Sequence, residues 1–346
     1  MIRTVAAVVR GEGIASALRR AGERVEEALQ HGVMRMRGGS LHAAVLNYCA
    51  MSVAPRIGGV AIQLRARLRV ERRHRNVALL HPNGLEVNGR LRRVTSIRDA
   101  LALTGAKLLH IEGTFGVDSG EIARLHVPYI VSVHDLSAAP ELLASAAAVI
   151  FPSGYLRDAY ATEGIVIEPG VDSIAVHGGG GDGVAFAGSV KRHKGAHLLP
   201  EIARLLDREL HVFGGGDEDL FRALRRVPNI VIHSYYRAGT LPSLLARHRI
   251  GRVILPSIVP EAYSLALSEA WLAGAAVTAF DHGAIAERIR RQGGGWLAPL
   301  ESGAAGLAGI INREDGGRDV RSPHVATAED AAKKYLALYS APGAGQ

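Results

Sequence analysis

The sequence predicts an α/β protein made of two doubly wound parallel-sheet domains. Three observations carry this prediction. Short, continuously apolar runs alternate with helical stretches, as expected for strands covered on both faces. A glycine-rich breaker, HGGGGDG (177–183), divides the alternation into two series. The length of 346 residues suits two domains of ~100–200 residues each. Such halves are Rossmann-like and imply a cleft between them. Ligands of these sheets bind beyond the carboxyl ends of the strands.

The elements follow in chain order. Across 11–34, Ile14, Leu18, Ala21, Val25, Leu29 and Val33 recur at spacings of three and four, which makes an amphipathic helix. It either packs on the body or lies on a membrane surface. MRMRGG then reads as a linker, so residues 1–40 form an N-terminal extension. The first domain, 41–172, has strands at HAAVLNYC (42–49), NVALLH (76–81), KLLHIEG, PYIVSVHDL (128–136), AAAVIFPS and GIVIEPG. Its helices are VAIQLRARL (60–68), SIRDALALTGA, SGEIARLH and YLRDAYAT. The second domain, 173–325, has strands VAFAG, LHVFGG, NIVIHS, RVILPS, AAVTAF and GGWLAP. Its helices fall near 194–206, 217–226, 239–248, 263–274 and 283–291. ATAEDAAKKYLALYS supplies a last helix in a C-terminal segment, 326–346.

Composition narrows the function classes. With 48% apolar and 21% charged residues, the chain is neither a disordered protein nor a collagen. Cys49 is the one cysteine, which excludes internal disulfides and thiolate clusters and fits a reducing cytoplasm. No apolar run reaches the ~18 residues of a membrane span. Arg10 interrupts the apolar start, which therefore makes a poor signal peptide. The formal charge of +8 is uneven: residues 1–98 hold 18 Arg against 6 Glu, and the remainder is acidic. This half either faces anionic lipid head groups or an anionic acceptor, or reflects coding bias toward Arg. Basic and aromatic residues are not interleaved, which disfavours nucleic acid as a partner.

Four segments carry chemistry. In RVILPSIVPEAYSLALSEAWLAGAAV, a strand leads through a loop into a helix beginning near Tyr263. A helix start seats an anion, and Glu261 and Glu269 beside it suit the hydroxyls of the same ligand. The other reading makes Glu261 an ordinary cap and leaves Glu269 facing solvent. In AFAGSVKRHKGAHLL, Gly188 and Gly195 flank Lys191, Arg192 and Lys194, a set suited to a diphosphate or else a solvated basic loop. It is not a nucleoside-triphosphate P-loop. In RIGGVAIQL, Gly58 and Gly59 precede a helix, either approaching a ligand or making a tight turn. The pattern is not G-x-G-x-x-G, so a nicotinamide cofactor is disfavoured. His134 and Asp135 close a strand where active sites of this architecture gather, although a lone histidine is commonly structural. The remaining histidines form no H-E-x-x-H pattern and no closed zinc set, so no metal site is expected.

Together these segments resemble the retaining GT-B glycosyltransferases of family four (glycosyltransferases group 1). PEAYSLALSEAWLAGAAV is similar to that family's paired-glutamate segment, with seven residues between Glu261 and Glu269. AFAGSVKRHKG resembles its phosphate loop, RIGGVAIQL its N-terminal glycine loop and SVHDL its strand-end histidine. EPGVD (168–172) and FDHGAIAE (280–287) resemble its domain-crossing strand end and late glycine turn. The resemblance implies a GT-B architecture and transfer of a sugar from a nucleotide diphosphate sugar, UDP before GDP, to an acceptor hydroxyl with retention. Glu261 would bind sugar hydroxyls, Glu269 the ribose, and Lys194 with the backbone of Ala262, Tyr263, Ser264 and Leu265 the diphosphate. His134 would contact the transferred sugar, and 232–234, ending at Ser234, would lie along the base. The resemblance implies that no metal and no other cofactor is needed. The acceptor would be a glycan or glycolipid of the cell envelope, and the protein would be cytoplasmic, peripheral on the inner membrane face. Ser189 stands where the family has a phosphate-binding Arg, so Lys191 or Arg192 must substitute. Ala276 replaces a usual Pro, and Ser234 replaces a usual Gly. The alternatives are a sugar-nucleotide epimerase and a non-catalytic nucleotide-binding relative.

Overall fold

The computed structural model describes residues 41–51, 53, 58–172, 181–313 and 323–340. The helix expected over 11–34, the MRMRGG linker and most of the glycine-rich breaker lie outside the described residues. The chain divides into two compact units. Among the described residues, one comprises 41–172 with 326–340, and the other 181–313 with 323–325.

The first unit runs β1 (Val45–Tyr48), α1 (Gly59–Glu71), β2 (Ala78–His81), β3 (Gly84–Val87), β4 (Arg90–Arg92), α2 (Ile97–Thr104) and β5 (Leu108–Glu112). It continues through α3 (Ser119–Ala123), β6 (Tyr129–Ser132), α4 (Pro140–Ala144), β7 (Ala148–Phe151), α5 (Gly154–Tyr160) and β8 (Ile165–Val166). The sheet order is β4-β3-β2-β1-β5-β6-β7-β8. From β2 to β8 the pairs are parallel; β2, β1, β5, β6 and β7 are largely buried on both faces, and the edge strand β8 is more exposed. Side-chain caps explain several helix starts: Ser96 accepts from the Asp99 amide, Asp118 from Gly120 and Glu121, and Ser153 from Leu156. The β3–β4 hairpin is an antiparallel addition that the apolar runs do not reveal. Its turn is Asn88-Gly89, both at positive φ, a two-residue hairpin signal that the sequence does contain.

The second unit opens with β9 (Gly183–Ala187) and two 3-10 turns, Arg192–Lys194 and Ala196–Leu198. Then come α6 (Leu199–Leu205), β10 (Leu210–Phe213), α7 (Glu218–Leu224), β11 (Ile230–Ser234), α8 (Leu241–Arg247) and β12 (Ile250–Leu255). It closes with α9 (Leu265–Leu272), β13 (Ala276–Phe280), α10 (Gly283–Gln292), β14 (Gly295–Ala298) and α11 (Gly303–Arg313). All pairs are parallel, in the order β11-β10-β9-β12-β13-β14. The strand order therefore reverses between β9 and β12, and ligands of such sheets bind beyond the carboxyl ends at that reversal. Two helix starts differ from expectation. The helix predicted from 194 begins at Leu199, because Gly195 at φ 73 breaks the run. The helix predicted from 263 begins at Leu265, because Ser264 at φ 76 is its N-cap.

The terminal helix α12 (Ala328–Tyr339), started by a Thr327–Asp330 capping box, belongs to the first unit rather than standing alone. Ala328 and Ala332 pack on Ala66 and Val70 of α1. The Tyr335 ring lies 4.0 Å from the Arg67 guanidinium, and the Tyr339 ring 4.6 Å from that of Arg75. The outgoing segment at Val171 pairs with the returning one at Thr327. Gly170 permits this, since a Cβ there would sit 2.0 Å from the Thr327 carbonyl oxygen. No helix among the described residues is long and apolar enough to cross a membrane.

Part of the arginine excess faces inward. Arg65 grips Glu86 with two hydrogen bonds, at 2.6 and 2.5 Å, and His81 Nε2 lies 2.8 Å from the same carboxylate. Arg67 donates to Glu112 and to Asn47, and Glu71 holds Arg67 and Arg75. Burial alone would push the Glu86 carboxyl up, but Arg65 and His81 outweigh it and hold it well below the usual carboxylate range. Its stabilising contribution is therefore present above the ordinary value of 4.5 and is lost as pH falls through the native value. Replacing Glu86 by Ala leaves Arg65 buried without its carboxylate and should cost about 3–5 kcal/mol in urea unfolding at pH 7. The variant should also lose stability less steeply than the parent below about pH 4.5. Equal unfolding midpoints would refute this role.

Candidate functional site

The loops that follow β9 and β12 meet at the strand-order reversal of the second unit. Gly188 ends β9 at φ 140, with its amide on the Phe213 carbonyl. Lys191 and Arg192 are exposed on the turn that follows, as is Ser189. Gly195 is required at close quarters, since a Cβ would sit 1.7 Å from the Pro256 carbonyl oxygen. The Ser257 hydroxyl and the Ile258 amide both donate to the His193 carbonyl, which ties the two loops together. Lys194 is thereby carried to Glu261, with Nζ 2.7 Å from Oε2.

A third loop, before α10, fixes Glu261 from the other side. Gly283 lies at φ 67, and a Cβ there would sit 2.8 Å from the Glu261 nitrogen. The Ala284 amide donates to the Glu261 carbonyl. His282 Nε2 lies 2.7 Å from the Ser257 carbonyl.

The start of α9 is held from beneath by Arg288 on α10. Its guanidinium, buried, donates to the Tyr263 and Ser264 carbonyls and at 2.8 Å to the Ser268 hydroxyl. It also lies 4.0 Å from the Tyr263 ring centroid and 5.0 Å from that of Trp271. A fixed cation there orients the two peptide units that lead into α9. Ser264 caps the helix through the Leu267 amide, so the reading of Glu261 as the cap is overturned. Glu269 is buried, not solvent-facing, and its charge helps to raise the hydroxyl pKa of half-buried Tyr236, after desolvation of that ring. Ala262, Tyr263, Ser264 and Leu265 line the approach to the helix start, and Ser234 is the last residue of β11. Sequence reasoning did not single out Arg288, which reads as one more charge in the basic run RIRR.

The first unit carries its own set. Gly58, at φ 105 just before α1, has open space where a side chain would start, so its need is conformational. Gly59 is the first residue of α1. His134 lies in the loop beyond β6, with Nδ1 3.1 Å from Gln63 Nε2 on α1. Gly113 faces the imidazole, where a Cβ would make ordinary contact at 3.4 Å, so its need for glycine is the positive φ of 89. Asp135 turns away into the loop and accepts from the Ser137 amide. Burial of the ring pulls the His134 pKa down to about 4, with Asp135 opposing and Arg67 assisting. His134 is thus a neutral imidazole at pH 7. Gln63 was not foreseen; its place one turn into α1, beside the paired glycines, was the available signal.

Chemically, the second unit offers an anion seat at the α9 start, a cluster of Lys191, Arg192 and Lys194, and two carboxylates for hydroxyl groups.

Residues 181–313, the main described stretch of the second unit, match the model of the family Glycosyl transferases group 1. Solved structures share the fold. HepE of Anabaena, determined in complex with UDP and glucose, is 17% identical with a TM-score of 0.59, over 86% of this chain and 95% of that one. Sucrose-phosphate synthase from Thermosynechococcus elongatus is 17% identical with a TM-score of 0.63, over 86% and 95%. A glycosyltransferase from Rickettsia africae is 13% identical with a TM-score of 0.64, over 86% and 98%. No curated protein sequence matches the chain. The two parallel-sheet units have the GT-B architecture.

Two outcomes test this geometry. Arg288→Met should lower stability by about 2–4 kcal/mol and speed amide exchange across 260–265, because two carbonyls and a hydroxyl lose a buried charged donor. Unchanged exchange there would show that Arg288 does not hold the loop. The His134 imidazole should titrate by NMR with a midpoint near 4, and a midpoint near 6.5 would contradict its burial.

Proposed function

We propose that this chain, which matches the group 1 glycosyl transferases over 181–313, transfers a sugar with retention from a nucleotide diphosphate sugar to an acceptor hydroxyl. The observation that carries the reading is the Lys194–Glu261 pair at the strand-order reversal, inside the segment that matches the family. A UDP-sugar is the preferred donor, a GDP-sugar the next; HepE, which shares the fold, was solved with UDP and glucose.

In this reading the diphosphate sits at the α9 start, against the amides of Ala262 to Leu265 and the Lys194 ammonium. Lys194 has three N–H donors, enough to keep Glu261 and take a phosphate oxygen. Lys191 and Arg192, on the exposed turn, supply the charge that Ser189 does not. Glu261 accepts hydrogen bonds from the sugar hydroxyls, Glu269 from the ribose, and the end of β11 at Ser234 accompanies the base. In the first unit, the neutral His134, fixed by Gln63, and the Gly58–Gly59 turn are suited to hydrogen bonds with sugar hydroxyls.

The bond from the anomeric carbon to the diphosphate oxygen breaks, and one to the acceptor oxygen forms on the same face. The acceptor proton passes to the departing diphosphate. Negative charge grows on the leaving group while the sugar becomes oxocarbenium-like. Fixed cations and amides aimed at that charge therefore stabilise the transition state more than the bound donor. This chemistry places the charge on side chains and a helix start, without a metal ion or other cofactor. A glycan or glycolipid at the inner membrane face is the proposed acceptor, on the strength of the basic N-terminal region.

Ser189 favours a second reading, a protein that binds the nucleotide without turnover. Incubation with a panel of nucleotide sugars, with and without acceptor glycans, separates the two through release of nucleoside diphosphate. Glu261→Ala and Lys194→Ala should each lower kcat about 10²-fold or more. Parental turnover in both variants would remove the assignment, and nucleotide binding without any turnover in the parent would favour the second reading.

A further inference from the structure

Three histidines that are far apart in sequence converge at the β11 edge of the second sheet. His211 lies on β10, His233 on β11 and His248 directly after α8. One ring nitrogen of each lies within 4.8 Å of the other two. His211 Nδ1 and His233 Nε2 are 2.8 Å apart, and their rings are stacked. The His248 ring is tilted against that of His233, with centroids 4.3 Å apart. Phe213 stacks on the far side of the arrangement, 4.3 Å from His233, and gives it a rigid apolar wall. All three histidines are half-buried. The site is thus reachable from solvent yet partly shielded.

We propose that His211, His233 and His248 bind one divalent transition-metal ion of the zinc class, next to the end of β11 that the proposed function assigns to the base. The chemistry of the set supports this. Three imidazoles with one position left to solvent make a tetrahedral donor set that zinc accepts. Metal–nitrogen bonds of ~2.0–2.1 Å place tetrahedral ligand nitrogens ~3.3 Å apart, so the 2.8 Å pair opens slightly and the third ring closes in. The other nitrogen of His211 faces the Glu209 carboxylate at 3.9 Å, where an outer carboxylate orients a ligating histidine. Two of the rings, His211 and His233, are shifted toward the neutral, ligating form. Burial, with His248 beside them, holds the pKa of His211 below its ordinary value and that of His233 at about 4.

An ion there would join β10, the edge strand β11 and the end of α8 through side chains alone. Its contribution would be to stability, by binding the native state and not the unfolded one.

The test uses the full chain after treatment with a chelator. Zn²⁺ is titrated by calorimetry, and Co²⁺ is followed by its ligand-field absorption. One ion per chain is expected, with a rise in Tm as Zn²⁺ is added. His233→Ala and His248→Ala should each weaken binding at least about tenfold and remove the Tm rise, while His74→Ala, on the first unit, should leave both unchanged. Metal-free circular dichroism establishes that the variants are folded. The wild-type titration is decisive without them: no bound ion overturns the proposal. Weak binding of several ions that the His233 and His248 variants retain overturns it equally. Nucleoside diphosphate release by the chelated protein is measured alongside, so loss of the metal site and loss of transferase activity are read separately.

Discussion

The second unit depends on one constraint, the contact of backbone with backbone at Gly195 and Gly283. Each residue faces a neighbouring peptide at a distance that no side chain tolerates, and each lies at positive φ. The loops after β9 and β12 and the loop before α10 can therefore lie against each other. Lys194 reaches Glu261 through these contacts, not through a long flexible search. Arg288 then fixes the next two peptide units through their carbonyls. An ammonium, a carboxylate and a helix start are positioned before any ligand arrives, which lowers the ordering cost of binding.

Much of this was legible in the sequence, and the reasons are physical. Strands of a parallel sheet covered on both faces read as continuous apolar runs, so β9 to β14 could be placed closely. Gly188 and Gly195 could be marked because glycines flanking a strand-to-helix turn permit close backbone approach, and the turn at Gly283 through the resemblance. Helix starts were less legible. Ser264 caps α9 from a left-handed conformation that a sequence does not display, and Gly195 delays α6 in favour of 3-10 turns. Glu269 was ambiguous by spacing alone, since only the packing of Tyr236 and α9 decides which way it faces.

Other features were hidden because they are non-local. Arg288 acts on residues 20 or more positions earlier, and Gln63 acts on His134, 71 positions away. The three-histidine cluster has no short spacing, because adjacent parallel strands align residues separated by a whole crossover. The arginine excess of the first 98 residues was read either as facing lipid or an anionic acceptor, or as coding bias toward Arg. Arg65, Arg67 and Arg75 instead spend their charge on Glu86, Glu112 and Glu71 inside the fold. Total charge could be counted from the sequence, but its division between interior and surface could not.

The return of α12 to the first unit bears on biosynthesis. Residues 41–172 leave the ribosome without the helix whose tyrosines cover Arg67 and Arg75, and they wait until about 150 further residues have been made. The described part of the second unit, 181–313 with 323–325, is not interrupted by the first unit and can close its core first. The earlier-made half is thus the last to be finished, and a transcript broken off near its 3′ end would yield one sound lobe tethered to an incomplete one.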